Sequence, residues 1–281
     1  MFKNYNLTTN LMRAGIYILL IVLLLVTIVP IWMLIVNATR STAEIQQGIS
    51  FLPSSHLLEN IQILSNKGVR MGVGFQNSLF LAVVTTVISV YFSLLTAYGM
   101  VVYEFKGKKL FNNFVIVLVM IPMQISIIGF YQFMSKLGLT DNYLSLILPS
   151  IASAGTVFFA KQYLESMLIE DLIDAARIDG ASELGIFHRI MFPLAIPGAA
   201  TMGIFAFVYS WNNFLTPFIL ISSLGKYTLP MWVKTLQGDV YRTEYGAIYL
   251  GLAMTIVPII IIYALFSRYI VSGIAMGAIK E

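Results

Sequence analysis

Cysteine is absent from the 281 residues, which excludes disulfides, thiolate metal sites and a cysteine nucleophile. Histidine occurs only at His56 and His188, with no second ligand at metal spacing. Charge is scarce too: 11% of residues are Asp, Glu, Lys or Arg, where a soluble globular chain carries roughly 25%. The charge present is segregated. Segments 14–39, 71–103, 110–135, 142–160, 190–225 and 245–267 contain none of it. Each approaches or exceeds the ~20 residues with which a helix crosses a ~30 Å hydrocarbon core. A transmembrane barrel would alternate apolar and polar residues, and these runs are continuous. The expectation is an all-α integral membrane protein with six transmembrane helices, at about 14–36, 77–103, 110–134, 143–163, 198–222 and 246–270. They form a single transmembrane domain over residues 1–281.

The stretch from Ala14 to Val36 is longer than the ~7–15-residue apolar core of a signal peptide, so an uncleaved first span is expected. Lys106, Lys108 and Lys109 crowd the short loop 104–109, whereas loop 136–141 carries Lys136 alone. By the positive-inside rule the 104–109 loop and both termini are cytoplasmic, as is segment 164–197. Net charge is +4 with scattered basic residues, which gives no nucleic-acid footprint.

Mid-span ionisable groups are missing as well. Ion-coupled carriers generally use such groups or broken helices with exposed carbonyls, so their absence counts against a secondary transporter. An ATPase needs a phosphate-cradling loop, G-x-x-x-x-G-K-[ST]. The nearest spacing, Gly180 to Gly185, continues into Ile186 and Phe187. No hydrolytic triad is discernible, which disfavours an intramembrane enzyme. Polar exceptions within the spans are Gln124 in the third, and Tyr209, Trp211, Asn212 and Asn213 in the fifth. An amide in hydrocarbon needs a partner or a water-filled path. These residues therefore either bond between helices or line a solute pathway.

Segment 169–193 is the most patterned. Ile169, Leu172, Ile173, Ala176 and Gly180 share one helical face, with Glu170, Asp171, Asp174 and Arg177 on the remaining surface. Gly180 suits a left-handed C-cap, and Ser182 suits the N-cap of a second short helix striped by Leu184, Phe187, Ile190 and Met191. Pro193 and Pro197 precede span five. Such an elbow is either an interfacial connector or a docking point for a soluble partner.

The elbow resembles the EAA loop of binding-protein-dependent ABC importer permeases, E-A-A-x3-G-x9-I-x-L-P. Asp174-Ala175-Ala176, three residues, Gly180, nine residues, then Ile190-Met191-Phe192-Pro193 follow it without a gap. Asp174 replaces Glu and Phe192 replaces Leu. Trp211-Asn212-Asn213-Phe214-Leu215 with Pro217, Tyr227-Thr228-Leu229-Pro230 and the tail from Gly273 to Lys280 resemble the carbohydrate-uptake, MalG-like branch.

That resemblance implies a six-helix permease of the type I importer kind with a cytoplasmic coupling-helix elbow. It implies a second, MalF-like permease subunit as heterodimer partner and two ATPase subunits that bind ATP and Mg, this chain holding no cofactor itself. It further implies an extracellular solute-binding protein and a sugar substrate, an oligosaccharide or, alternatively, glycerol phosphate. The location implied is a bacterial cytoplasmic membrane. Asp174, Ala175, Ala176, Arg177, Gly180, Ile190 and Pro193 would dock an ATPase. Tyr227, Trp232 and Tyr241 in the external loop 223–245 would meet the binding protein or its sugar, or anchor at the membrane interface.

Overall fold

In the computed structural model the described backbone covers residues 2–167, 170–236 and 243–278; side chains are described there except at 2–8, 123–124, 170 and 266–278. The side chain of Gln124, the tail side chains and all of Tyr241 lie outside the described residues. The described regular elements are all helical. In chain order they are α1 Phe2–Ala38, α2 Thr42–Gln47, α3 Leu57–Asn66, α4 Met71–Val102, α5 Lys108–Met120, α6 Met123–Lys136 and α7 Leu144–Ile147. A 3-10 turn, Leu148–Ala152, leads to α8 Ala154–Met167 and α9 Glu170–Ile178. Then come α10 Glu183–Ile186, a π turn Phe187–Met191, α11 Phe192–Leu194, α12 Ile196–Asn212, α13 Leu215–Leu220, a 3-10 turn Leu224–Lys226, α14 Leu229–Thr235 and α15 Tyr245–Ala278.

Among the described residues four stretches are long and apolar enough to cross a membrane: Thr9–Ala38, Met71–Val102, Leu144–Met167 and Tyr245–Leu265. Two bent pairs, Lys108–Met120 with Ile125–Lys136 and Glu183–Leu194 with Ile196–Asn212, bring the total to six when each counts as one span.

Three expected spans are not the continuous helices drawn from the sequence. The third breaks at Ile121, whose backbone is extended (ψ 119°), immediately before Pro122. A residue preceding proline is pushed out of the helical region. The fourth narrows to a 3-10 turn around Pro149 and breaks at Ser153 (ψ 96°). The fifth ends at Asn212 rather than 222, because Asn213 is extended (ψ 112°). Pro217, four residues on, has no N–H to offer the Asn213 carbonyl, so a continuous helix would lose that bond.

The chain divides into two compact units by contact. In the first, residues 1–70 with 233–256, α1 runs 37 residues with Ile, Leu and Val exposed around it. A helix apolar on all sides belongs in lipid or against another chain. Ser41 and Glu44 form a capping box on α2. The buried Arg40 guanidinium donates to the Asn37 side chain and to the Gly48 and Glu44 carbonyls. Asn60 donates to the carbonyls of Ala38 and Arg40 at 2.9 and 3.0 Å.

The second unit, 71–232 with 257–281, is organised around α4, which packs on α8 and α12. Small residues permit this approach: Ala82, Ser89, Ser93 and Ala97 on α4, Ala160 on α8 and Gly198 and Thr201 on α12 are all buried. Without a hydrophobic drive between helices in lipid, close packing and interhelical hydrogen bonds hold them. Two such bonds run from α4, Thr85 to Ser210 (2.9 Å) and Ser89 to Thr156 (3.2 Å).

Tyr163, at the end of the fourth expected span, is buried on Gly198. A Cβ at Gly198 would lie 2.5–2.7 Å from three ring carbons of Tyr163. Gly198→Ala is therefore expected to cost about 1–3 kcal/mol by overpacking. The check is a lowered thermal midpoint of the detergent-purified protein; an unchanged midpoint would contradict the packing.

Candidate coupling elbow and solute cavity

The elbow is built as its residue types dictate. Gly180 has φ +78°, a conformation that costs other residues about 1 kcal/mol or more. Its N–H bonds to the Arg177 carbonyl and the Ala181 N–H to the Ala176 carbonyl, both at 3.0 Å. This double closure is a Schellman motif. Ser182 then caps α10, its hydroxyl accepting from the Gly185 N–H at 3.2 Å. The π turn absorbs one extra residue before Pro193, and the chain bends 77° into α12.

The expected stripe is only partly the buried face. Ile173, Ala176, Phe187 and Met191 enter a core with Leu94, Tyr98, Leu164 and Met202. Leu172 and Leu184 are exposed, and Ile169 lies outside the described residues. Of the candidate docking residues, Asp174, Ala175, Gly180 and Pro193 are exposed, Ile190 is half-buried, and Ala176 faces inward. Ile178, which the sequence reading did not single out, is 87% exposed on the same elbow. Its signal was available, as an apolar residue off the buried face.

Arg177 is exposed yet already paired within the chain. Its Nε donates to Glu183 at 2.8 Å and its Nη1 to Asp174 at 3.2 Å. The Glu183 bonds push the Arg177 guanidinium up, and Arg177 foremost holds Glu183 below the usual carboxylate range. Burial, then Glu183, pushes the Tyr103 phenol up.

A cavity of about 770 Å³ lies within the second unit, walled by α4, α5, α6, α7, α8, α12, α13 and the turns between them. Its polar wall consists of Ser78, Thr85 and Ser89 of α4, Ser126, Ser145, Ser150, Ser153 and Thr156 along spans three and four, and Tyr209, Ser210, Asn213, Thr216 and Thr228. Among the described residues, no Asp, Glu, Lys, Arg or His lines the cavity. The three helix breaks converge here, because Ile121, Ser153 and Asn213 all line it. Irregular backbone at membrane depth is tolerated where it borders a cavity. Thr228 is buried, and its hydroxyl has no hydrogen-bond partner among the described residues.

Of the pathway candidates, Tyr209 and Asn213 reach this cavity. Trp211 does not. It is 1% exposed, stacked on Phe207 at 5.9 Å and edge-on to Phe75 at 5.5 Å. Its place is the core, where a large ring gains most from burial. Asn212 is exposed away from the cavity lining. Trp232 is likewise buried, with its ring where a Cβ at Gly74 would lie, 2.6 Å away. It is therefore not an exposed contact for an external protein, whereas Tyr227, 5.4 Å from it, is half-buried.

Asp141, at φ +53°, gathers the segment that follows α13. Its carboxylate accepts from the Ser222 and Ser223 N–H groups (3.1 and 2.9 Å), the Ser223 hydroxyl (2.6 Å) and Lys226 (3.0 Å). The Ser223 bonds foremost hold this carboxyl far below its ordinary range.

Residues 89–276 match a family described as binding-protein-dependent transport system inner membrane component. The chain belongs to that family. Among its relatives, an arabinooligosaccharides transport system permease protein, AraQ, from Halalkalibacterium halodurans is 37% identical over 258 residues, covering 91% of this chain and 92% of that protein. The Bacillus subtilis AraQ is 34% identical over 271 residues, covering 95% and 96%. An sn-glycerol-3-phosphate permease protein, UgpE, from Pectobacterium atrosepticum is 29% identical, covering 92% and 94%. The crystal structure of a bacterial ABC transporter involved in import of the acidic polysaccharide alginate matches with a TM-score of 0.80 at 24% identity, over 92% of this chain and 96% of that one. The last likeness speaks for the fold. The chain is thus an integral membrane permease subunit of an ABC importer.

Within this permease the elbow's local stability has a direct check. Ser182→Ala removes the α10 cap at a cost of about 1 kcal/mol. Amide hydrogen exchange at Glu183–Ile186 should accelerate roughly fivefold while exchange in α4 is unchanged. Unaltered exchange at the Gly185 amide would refute the capping role.

Proposed function

We propose that this permease pairs with a second, MalF-like permease to import a neutral oligosaccharide, driven by separate ATPase subunits. The observation that carries this reading is the cavity wall: hydroxyls and one amide, with no Asp, Glu, Lys, Arg or His among the described lining residues. Hydroxyls and amides donate and accept hydrogen bonds as sugars do. The apolar lining of Leu81, Phe130 and Phe205 suits the C–H faces of a pyranose or furanose. The arabinooligosaccharide relatives support the same substrate class. Glycerol phosphate is the second reading, favoured by the UgpE likeness. A phosphate calls for charge-assisted bonds from Arg or Lys, and this wall supplies none, so the neutral sugar is preferred.

In this reading the elbow sits in a cleft of an ATPase subunit that binds ATP and Mg. The exposed Ala175, Ile178, Gly180 and Leu184 offer small and apolar groups for docking, with the Asp174 carboxylate beside them. An extracellular binding protein delivers the sugar. Closure of the ATPases moves both permeases' elbows, and the helices rock between two states. The elbow and both termini are cytoplasmic, in a bacterial cytoplasmic membrane.

Two measurements test this. In proteoliposomes holding the complete transporter, ATP-dependent uptake should be found for a neutral oligosaccharide and not for glycerol phosphate. Asn213→Leu, at the cavity, should lower that uptake at least fivefold, and Asn212→Leu, away from it, less than twofold. Equal effects would overturn the pathway assignment. Orientation is read by thiol labelling of this cysteine-free chain. Ser222→Cys should react with an impermeant reagent on intact cells and Ser182→Cys should not. Outside labelling of Ser182→Cys would overturn the ATPase-docking role.

A further inference from the structure

Three elements meet at one carboxylate. Glu183 Oε1 accepts from Arg177 Nε of α9 at 2.8 Å. Its Oε2 accepts the hydroxyls of Tyr98, in the last turns of α4, at 3.2 Å, and of Tyr103, just beyond α4. The Arg177 guanidinium lies 5.8 Å from the Tyr103 ring centre, and the Tyr98 ring 5.5 Å from that of Phe187. The elbow does not need this carboxylate for its own shape, since the Schellman closure at Gly180 and the Ser182 cap already define the turn.

Glu183 adds a second directional attachment to α4, one turn or more beyond the Tyr91–His188 hydrogen bond of 3.0 Å, at the end of the helix. That helix is 32 residues long and contains no proline, so it extends about 48 Å at ~1.5 Å per residue. Ser78, Leu81, Thr85 and Ser89 of the same helix form part of the cavity wall. Ser89 is about 14 Å along the axis from Tyr98. An unbroken helix carries a displacement at its end into its middle. Apolar packing between the elbow and α4, through Phe187, Tyr98 and Leu94, resists separation but permits sliding. Directional bonds to a charged acceptor fix register as well.

We propose that Glu183 is a positioning residue that locks the elbow to the end of α4, so that elbow movement by an ATPase displaces the hydroxyl-bearing wall of the cavity. This rests on the docking reading above. Arg177 orients the carboxylate from one side, and the two phenols receive it on the other.

The test uses the complete transporter in proteoliposomes and reads solute imported per ATP hydrolysed, with co-purification of the ATPases as control. Glu183→Ala should lower the ratio at least fivefold with the ATPases still bound, and Glu183→Asp should recover part of it. The double variant Tyr98→Phe, Tyr103→Phe keeps both rings and the Arg177 pair, removes only the two hydroxyls, and should lower the ratio in the same way. A wild-type ratio in either the Glu183→Ala or the double-Phe transporter overturns the proposal. Loss of the ATPases from Glu183→Ala also overturns it, by making Glu183 a docking residue. If Glu183→Ala does not accumulate, the double-Phe variant decides alone. Failure of the import reading itself is separate: wild-type proteoliposomes would then show no ATP-driven uptake.

Discussion

Hydrocarbon offers no hydrogen bonds, so a chain that crosses it must satisfy its own backbone. That single constraint shapes most of this permease. Continuous helices meet it directly, and α1, α4 and α15 are such helices. The other spans are interrupted at Ile121, Ser153 and Asn213, and an interruption is tolerable only away from lipid. All three interruptions border one cavity. The prolines and short polar residues that break these helices and the hydroxyls that wet the cavity are thus one design. Opening a polar path requires broken helices, and broken helices require a polar path. Local bonds complete the economy, as where Asn213 accepts the Thr216 N–H through its side chain.

The elbow obeys a different solvent. It is rich in charge, capped at both turns and anchored by an apolar underside of Ile173, Ala176, Phe187 and Met191. Its shape is defined by backbone closure at Gly180 and by the Ser182 hydroxyl, which makes it a rigid body rather than a loop. A rigid elbow is what a transmitted push needs, because a compliant one would absorb the displacement. Between elbow and cavity stands α4, the helix against which both are built.

Much of this was legible in the sequence. The charge-free runs located the spans because burial in lipid acts on every residue of a run. Gly180 and Ser182 were legible because capping is a local property of a few adjacent residues. The breaks were harder. Pro122 and Pro149 sat in view, but the end of α12 at Asn212 depends on Pro217, beyond the apparent middle of the span. Aromatics misled most. Trp211 and Trp232 read as interface or pathway groups, and both are packed in the interior. Composition cannot tell a ring facing lipid from one facing a glycine on a neighbouring helix, as Tyr163 does at Gly198. The Glu183 attachment to Tyr98 and Tyr103 spans 80 residues or more, and no spacing rule announces it.

The uncharged cavity wall has an electrical consequence. Moving one elementary charge through the membrane field changes its energy by about 2.3 kcal/mol per 100 mV. Among the described lining residues there is no fixed charge to move, and the neutral solute proposed above brings none. Reorientation of this wall is therefore electrically silent. On that reading the membrane potential neither drives nor opposes the displacement of this wall.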